Sequence, residues 1–306
     1  MTELVKSNET AGGSTIGAPR VCALGGGHGL ATTLRALRTY AGEITAVVSV
    51  ADDGGSSGRI RRSVGGPAPG DLRRCFEALG DGSMLTAEMG WRFKGGELAG
   101  HALGNLLISG LVAAGGDVVA ALDEVGRMVG STGRVLPATL VPVDLVADTG
   151  DWEVEGQVAV HRADDVVGMR LVPEDAPVPS EVVRAIRGAD HLVLGPGSFF
   201  TSVLAATLAT DIRSALRART GQLILIANLV ADREGPTDLA DHVRILGEHG
   251  VEPDVLLVDD LSKRPISSTL PGEGEVVVGS ISASDGRTHD PVRLGRVLAA
   301  LGEERG

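Results

Sequence analysis

The sequence predicts an α/β fold of the Rossmann-like type, a mostly parallel sheet covered by helices on both faces. Short apolar runs alternate with helical stretches along the chain, as at 191–194, 223–227 and 255–258. Strands that are apolar at every position are typical of parallel sheets buried on both faces. These runs pass directly into glycine or polar residues, at the strand ends where such sheets bind ligands.

The first strand–helix–strand unit opens with an apolar strand at 21–24. A run of glycines follows, and a helix is expected from about Leu30 because Leu34 and Leu37 continue its apolar face. A second strand, rich in β-branched residues, covers 44–50. This order predicts a βαβ unit whose first turn is built from glycine.

The middle of the chain departs from this alternation. A helical stretch is expected within 100–130, and between about 140 and 172 the pattern turns to β. Turn residues at 148–151 join two of these β segments, which predicts a small antiparallel hairpin inserted beside the main sheet. No Pro- or Ser-rich linker sets the hairpin apart, so 20–306 is predicted to be one domain, preceded by a disordered tail at 1–19.

Composition and charge limit the function classes. The chain has 306 residues, 43% of them apolar, which suffices for a core and argues against disorder. Its 44 glycines show no period of three, which excludes collagen, and no apolar stretch approaches the roughly 18 residues that a membrane span needs. The net charge of −12 argues against nucleic acid or a membrane as partner, and the lack of a secretion signal favours the cytoplasm.

The glycines between the first strand and helix predict an anion-binding turn. They stand at 25–27 and 29, around His28. Glycine permits positive φ and close backbone approach, and the following helix N-terminus adds N–H donors. Leu30 replaces the third glycine of the dinucleotide fingerprint and no P-loop lysine is present, so a phosphate-binding turn is favoured over an NAD site. The alternative is a tight turn without a ligand, with His28 capping the helix or facing solvent.

The second strand leads into a denser polar cluster at 52–59. Two adjacent carboxylates, three glycines, two hydroxyls and an arginine lie within it. Carboxylates at a strand's C-terminal end can hold a ribose diol or a hydrated Mg²⁺, and hydroxyl and glycine N–H donors suit phosphate oxygens. The density of special residues favours ligand binding over the alternative, a polar loop closed by an Asx turn.

A local basic patch is expected between residues 59 and 74 of this acidic chain. Its members are Arg59, Arg61, Arg62, Arg73 and Arg74. Guanidinium groups in such a patch suit a diphosphate. The alternatives are nucleic acid and, for Arg73 and Arg74, an ordinary solvated helix face. Asp71 is predicted to cap the N-terminus of the helix that carries these last two arginines.

Two further motifs lie at expected junctions between loops and helices. Asn105 opens an apolar helix, where its amide either reads a base or sugar edge or caps the helix. Gly195, Gly197 and Ser198 form another glycine turn, either a second anion site or an N-cap by the serine. Asn228 directly follows the next strand.

Taken in order, these motifs resemble the gluconeogenesis-factor family, the regulatory branch of the superfamily that includes 2-phospho-L-lactate transferase. Two segments, Asp-Asp-Gly-Gly-Ser-Ser-Gly and Gly-His-x-Leu-Gly-Asn, are long and unusual. The resemblance extends over about residues 20–305. The matching segments are 25–30, 50–59, 70–73, 100–105, 194–198 and Asn228.

The resemblance implies a Rossmann-like protein that binds a UDP-sugar, UDP-N-acetylglucosamine in relatives. It also implies that the protein regulates carbon flow into cell-envelope precursors and cell shape without obligatory catalysis, together with a protein partner in envelope-precursor synthesis. Ligand contacts are expected on the residues that match the motifs. These are Gly25, Gly26, Gly27, His28, Gly29, Asp52, Asp53, Gly54, Gly55, Ser56, Ser57, Arg59, Asn105, Gly195, Gly197, Ser198 and Asn228.

The enzyme branch of the superfamily is the alternative. A transferase of that type would use a nucleotide diphosphate donor and Mg²⁺, for which Asp52 and Asp53 are the candidate ligands. The Gly-Gly-Ser-Ser-Gly-Arg run after the second strand favours the regulatory branch, and seven aromatic residues offer little stacking surface for a deazaflavin. No catalytic residue is assigned, and Mg²⁺ as a cofactor and a homo-oligomer are both left open.

Overall fold

The computed structural model describes residues 2–3, 17–267, 270, 272 and 274–303. Its main sheet is built from strands that all run parallel to one another. They are β1 (Thr2–Glu3), β2 (Arg20–Gly25), β3 (Glu43–Val48), β4 (Arg134–Pro137), β8 (His191–Leu194), β9 (Gln222–Ile226), β10 (Val255–Asp259) and β11 (Glu275–Gly279). Their order across the sheet is β1-β11-β10-β9-β8-β2-β3-β4. Of the tail predicted at 1–19, residues 1 and 4–16 lie outside the described residues.

Helices cover both faces of this sheet, which confirms the predicted Rossmann-like class. They are α1 (Gly27–Leu37), α2 (Gly55–Val64), α3 (Pro69–Leu79), α4 (Met84–Glu88), α5 (Leu103–Gly115), α6 (Val118–Met128), α7 (Gln157–Val160), α8 (Ser180–Gly188), α9 (Thr210–Arg217), α10 (Leu239–Glu248) and α11 (Pro291–Glu303). The helix expected from about Leu30 begins earlier, at Gly27. After β8 the chain forms a π-helix, Phe199–Leu204, and a 3₁₀-helix, Ala205–Thr207.

The two faces of the sheet carry separate apolar cores. Along β2, Val21 and Ala23 belong to the core that includes buried residues of α1, α3 and α11, whereas Cys22 and Leu24 belong to the core on the opposite face, with α8, α9 and α10. Such alternation within a strand that is apolar throughout is what a doubly covered parallel sheet requires. Within the described parts of the chain, no helix is long and apolar enough to cross a membrane.

A second, small sheet lies at the predicted insertion. It consists of β5 (Asp144–Asp148), β6 (Glu153–Glu155) and β7 (Gly168–Val172), with β5 in the middle and antiparallel to both neighbours. The predicted hairpin is the β5–β6 pair, and β7 extends it to a third strand. The short helix α7 stands between β6 and β7 and faces the main sheet's carboxyl edge, where Val158 meets Asp53.

Strand order places the crevice of the main sheet beside β2. The chain proceeds from β2 through α1 to β3 on one side, and the later strands β8 to β11 extend the sheet on the other side. The direction in which strands are added therefore reverses between β2 and β8. In open α/β sheets, ligands bind outside the carboxyl ends of the strands at such a reversal.

Candidate functional site

The first glycine turn ends at the N-terminus of α1. Gly26 is extended at the N-cap position, and Gly27 adopts a φ of +66° as the first helical residue. A β-carbon on Gly29 would lie 2.0 Å from the carbonyl oxygen of Pro196, so only glycine lets this turn pack against the turn that follows β8. His28 is exposed and makes no cap; partial desolvation of its ring and the charge of Arg74 lower its pKa.

The turn at 195–198 is held from two sides. From α1, the buried hydroxyl of Thr33 donates to the carbonyl of Gly195 at 2.7 Å. From the loop after β9, the side chain of Asn228 accepts from the Gly197 N–H at 3.0 Å and donates to the Gly197 carbonyl at 2.8 Å. Ser198 stands at the N-cap position of the π-helix without a side-chain cap bond. Both glycine turns are thus fixed against each other at the crevice between β2 and β8.

The cluster at 52–59 forms the neighbouring part of the same edge. Asp52 accepts from the Gly54 N–H at 2.9 Å, so the Asx turn of the alternative interpretation is present. Burial is the main cause that raises the pKa of Asp52. Asp53 accepts from the Val158 N–H of α7 at 3.0 Å, which ties the small sheet's helix to the cluster. Gly55, with a φ of +49°, then begins α2.

Asn105 sits in a buried network and not at an open surface. Its Oδ1 accepts from Arg73 Nε at 3.1 Å, and its Nδ2 donates to the Ser56 hydroxyl at 3.1 Å. Ser56 also pairs with His101 Nδ1 at 3.0 Å. The side chain therefore joins α3, α5 and the start of α2, a positioning arrangement that supports the cluster from behind.

Most of the five arginines expected to form one basic patch are paired with carboxylates. Arg61 pairs with Asp144, Arg73 with Glu77 and Arg74 with Asp71, so three of the charges are each matched by a carboxylate. Arg73 is moreover buried, which also rules out the solvated-face alternative for it. Arg59 is exposed and donates to the Ala99 carbonyl at 2.9 Å.

The predicted N-cap role of Asp71 is wrong as well. Helix α3 begins at Pro69 with Ala68 as its N-cap, so Asp71 lies inside the first turn. Its carboxylate instead reaches across to α1 and accepts from the Gly27 N–H at 2.7 Å. The two residues are distant in sequence, and the local helix-start pattern around Asp71 gave no indication of this contact.

The loop from Met89 to Ala102 carries aromatic residues that the sequence motifs do not single out. Trp91 and Phe93 form an edge-to-face pair in it, with ring centroids 4.8 Å apart. The loop is fastened to the 52–59 cluster by the bonds that His101 and Ala99 make to Ser56 and Arg59. Two of the few aromatic rings thus lie in a loop that is hydrogen-bonded to the cluster, although the scarcity of aromatic residues argues against a stacking surface.

Away from this edge, the described residues enclose open volume but form no metal cluster. Two cavities of about 360 and 340 Å³ adjoin β4, and neither includes a predicted ligand contact. Among the described residues, no group of three His, Cys, Asp or Glu side chains is arranged to hold a metal ion. Asp52 and Asp53 each use one carboxylate oxygen for a backbone N–H, so a Mg²⁺ there would need further oxygen ligands from a bound phosphate.

The fold and these turns define a Rossmann-like protein whose glycine turns and acidic cluster converge at one sheet edge. The sequence matches the family 2-phospho-L-lactate transferase CofD over residues 21–273, and the chain belongs to this family.

Named relatives lie within the gluconeogenesis factors. The chain is 36% identical to the "Gluconeogenesis factor" of Halalkalibacterium halodurans, over 82% of this chain and 79% of that protein. It is 39% identical to the "Putative gluconeogenesis factor" of Mycobacterium tuberculosis, over 91% and 89% respectively. A crystal structure of a UPF0052 family member from Bacillus halodurans superimposes with a TM-score of 0.86 at 31% identity, covering 92% of this chain and 99% of that one. The resemblance inferred from the motifs is thereby confirmed.

Proposed function

We propose that this protein is a gluconeogenesis factor that binds a UDP-sugar, UDP-N-acetylglucosamine in the first instance, and regulates carbon flow into cell-envelope precursors and cell shape. Binding without obligatory turnover suffices for this role. The proposal includes a cytoplasmic location and a protein partner in envelope-precursor synthesis. The names of its relatives support the coarser part, and the geometry of the sheet edge supports the ligand class.

The observation that carries the proposal is the meeting of two glycine turns at the strand reversal. Gly29 and Pro196 are in contact that tolerates no side chain, so the backbones of both turns approach the crevice between β2 and β8. A helix N-terminus and glycine N–H groups favour an anion there. The diphosphate of a nucleotide sugar is an anion of suitable size for two adjoining turns.

The acidic cluster supplies hydrogen-bond acceptors for hydroxyl groups, whereas the glycine turns supply N–H donors for phosphate. Carboxylates at a strand end accept hydrogen bonds from ribose or sugar hydroxyls. Asp52 and Asp53 lie on β3's side of the crevice; each gives one oxygen to a backbone N–H, and Asp52 also accepts from the Ser57 hydroxyl. We assign them to the hydroxyl-bearing part of the ligand, and Arg59 at the rim to its charge.

The test is a calorimetry and thermal-shift panel with UDP-N-acetylglucosamine, UDP-glucose, GTP and a deazaflavin. At a hundredfold excess over Kd, a bound UDP-sugar should raise the Tm on the order of 5 °C by mass action. Asp53→Ala and Arg59→Ala should weaken binding while retaining the fold. Asp123→Asn, whose carboxylate pairs with Arg134 away from the turns, is the matched control and should bind as wild type. Lack of any shift with both UDP-sugars would refute the proposal.

A transferase of the 2-phospho-L-lactate type is the second candidate, favoured by the family match over residues 21–273. The Trp91–Phe93 pair, in the loop that is bonded to the cluster, offers a ring surface that such an acceptor could use. Asp52 and Asp53 would hold Mg²⁺, whose chemistry is to neutralise charge on the transferred phosphoryl group. A shift with the deazaflavin but with neither UDP-sugar would favour this candidate.

A further inference from the structure

The N-terminus of α1 carries a carboxylate from another helix. Asp71 Oδ2 lies 2.7 Å from the Gly27 nitrogen and accepts its hydrogen bond. A β-carbon on Gly26 would also lie 2.7 Å from this oxygen, so the carboxylate is pressed against the turn backbone. Gly27 is the first residue of α1, and its N–H is one of the donors that a bound phosphate would use.

Asp71 does not behave as an ordinary acidic residue of a first helical turn. Such residues satisfy N–H groups of their own helix, but Asp71 of α3 spans 44 residues to reach α1. Its other oxygen pairs with Arg74, which is itself three-quarters buried and makes its ion pair there. The carboxylate of Asp71 thus places a negative charge on the helix N–H, next to an arginine. A phosphate bound at this turn would place its negative charge in the same position, next to the same arginine.

We infer that Asp71 is a specificity-determining residue of the proposed site: its carboxylate is a stand-in for the ligand phosphate on the Gly27 N–H. This inference rests on the proposed function. A diphosphate that enters the turn displaces the carboxylate, takes the Gly27 N–H and inherits Arg74 as its counterion. Asp71 thereby lowers the affinity of the turn for weakly charged anions and keeps Arg74 oriented towards the turn.

The charges around the turn agree with such an exchange. Arg73 is committed to Glu77 and Asn105 deeper in the protein, so it does not compensate for Asp71. Arg74 is therefore the cation that changes partner. Because two negative groups a few ångströms apart repel each other at a partly solvated site, the carboxylate and the phosphate cannot share the N–H without cost.

The experiment measures Kd by calorimetry for UDP-N-acetylglucosamine and, separately, for inorganic pyrophosphate. Asp71→Asn keeps an acceptor oxygen for the Gly27 N–H but removes the charge, and it should bind both probes about tenfold more tightly. Arg74→Gln should bind both about tenfold more weakly. Asp123→Asn is the charge-matched control and should leave both Kd values unchanged, and the Tm of each variant without ligand verifies folding.

The outcomes separate this inference from the proposed function. If wild type binds UDP-N-acetylglucosamine but Asp71→Asn binds equally or less well, Asp71 braces the turn and the inference is overturned while the proposed function stands. If wild type binds both probes and Asp71→Asn binds them more tightly, the stand-in role is supported. If neither protein binds either probe, both ideas fail together.

Discussion

Asn228 and Gly197 are joined by two hydrogen bonds, one in each direction. The side-chain oxygen of Asn228 accepts from the Gly197 N–H at 3.0 Å and its amide donates to the Gly197 carbonyl at 2.8 Å. The same amide donates to Asp232, which in turn accepts from the N–H of Phe199. One side chain in the loop after β9 thus holds the glycine turn after β8 by both polar groups of Gly197.

Asn228→Ala should therefore lose both stability and ligand affinity. Removing the amide leaves the two polar groups of Gly197 and the Asp232 carboxylate without these partners, which costs about 1–3 kcal/mol in the free energy of unfolding. Urea denaturation gives the stability and calorimetry with UDP-N-acetylglucosamine the affinity. Val230→Ala, an exposed change in the same loop, is the control and should stay within about 0.5 kcal/mol. Unchanged stability in Asn228→Ala would show that the bonds are not required.

Two glycines of the first turn should respond very differently to alanine. A β-carbon on Gly29 would meet the Pro196 carbonyl oxygen at 2.0 Å, and because that atom is backbone the turns would have to separate. Around Gly27 nothing lies within 4 Å, so only its φ of +66° opposes a side chain. We expect Gly27→Ala to cost roughly 1–2 kcal/mol and Gly29→Ala to cost more than this or to prevent folding.

Denaturation curves of these two variants, recorded side by side, test the contact between the turns. Equal losses in Gly27→Ala and Gly29→Ala would mean that the turns are free to move apart. The pair also separates backbone strain from steric exclusion, because each variant adds the same methyl group.

The sequence predicts best those features that depend only on neighbouring residues of the chain. Glycines between a strand and a helix predicted the turns at 25–29 and 195–198, because a tight turn at a strand end is encoded by neighbouring residues. Continuous apolar strands predicted a parallel sheet for the same reason. Whether these turns bind a ligand stays a prediction.

Contacts between segments that are distant in the sequence could not be predicted from such local patterns. Asp71 was predicted to cap its own helix, which is the local expectation, but a better partner was available on α1 after folding. Asn105 was considered as a reader of a base edge or as a cap, whereas α3 and α2 enclose its side chain. The third strand β7 was missed as a partner for β5 because pairing register is a property of the folded chain.

His242 should make stability depend on pH. It is buried, stacks on Phe199 with ring centroids 4.2 Å apart and donates from Nε2 to the Pro236 carbonyl, and burial lowers its pKa to about 4. The pKa of this histidine is about 6.5 in the unfolded chain, so the folded protein favours the neutral ring. The contribution of the neutral ring to the free energy of unfolding is therefore fully present above about pH 6.5.

Stability should then fall as the pH is lowered from about 6.5 to about 4, by on the order of 3 kcal/mol from this group. His242→Gln retains a donor for Pro236 but takes up no proton, so its loss over the same range should be smaller. Denaturation at pH 7, 5.5 and 4.5 provides the comparison. Parallel curves for the two proteins would contradict a neutral buried His242.

Removing the charge of Asp52 should maintain or raise stability but weaken ligand binding. Burial is the main cause that raises its pKa, so the folded protein favours the neutral carboxyl and holds the ionised form at a cost at pH 7. Asp52→Asn keeps an oxygen for the Gly54 N–H, and its free energy of unfolding at pH 7 should equal or exceed that of wild type. This difference should shrink as the pH falls through the raised pKa, because wild type then becomes neutral as well.

Asp52→Asn should also weaken the binding of UDP-N-acetylglucosamine, because a carboxylate accepts hydrogen bonds from hydroxyls more strongly than an amide does. Asp52→Asn and Asp71→Asn are thus expected to change affinity in opposite directions, although each removes one negative charge from the same edge. Calorimetry on both variants distinguishes a hydroxyl contact from a phosphate stand-in. If both variants bind more tightly, the effect is general electrostatics and Asp52 is not a contact of the sugar or ribose.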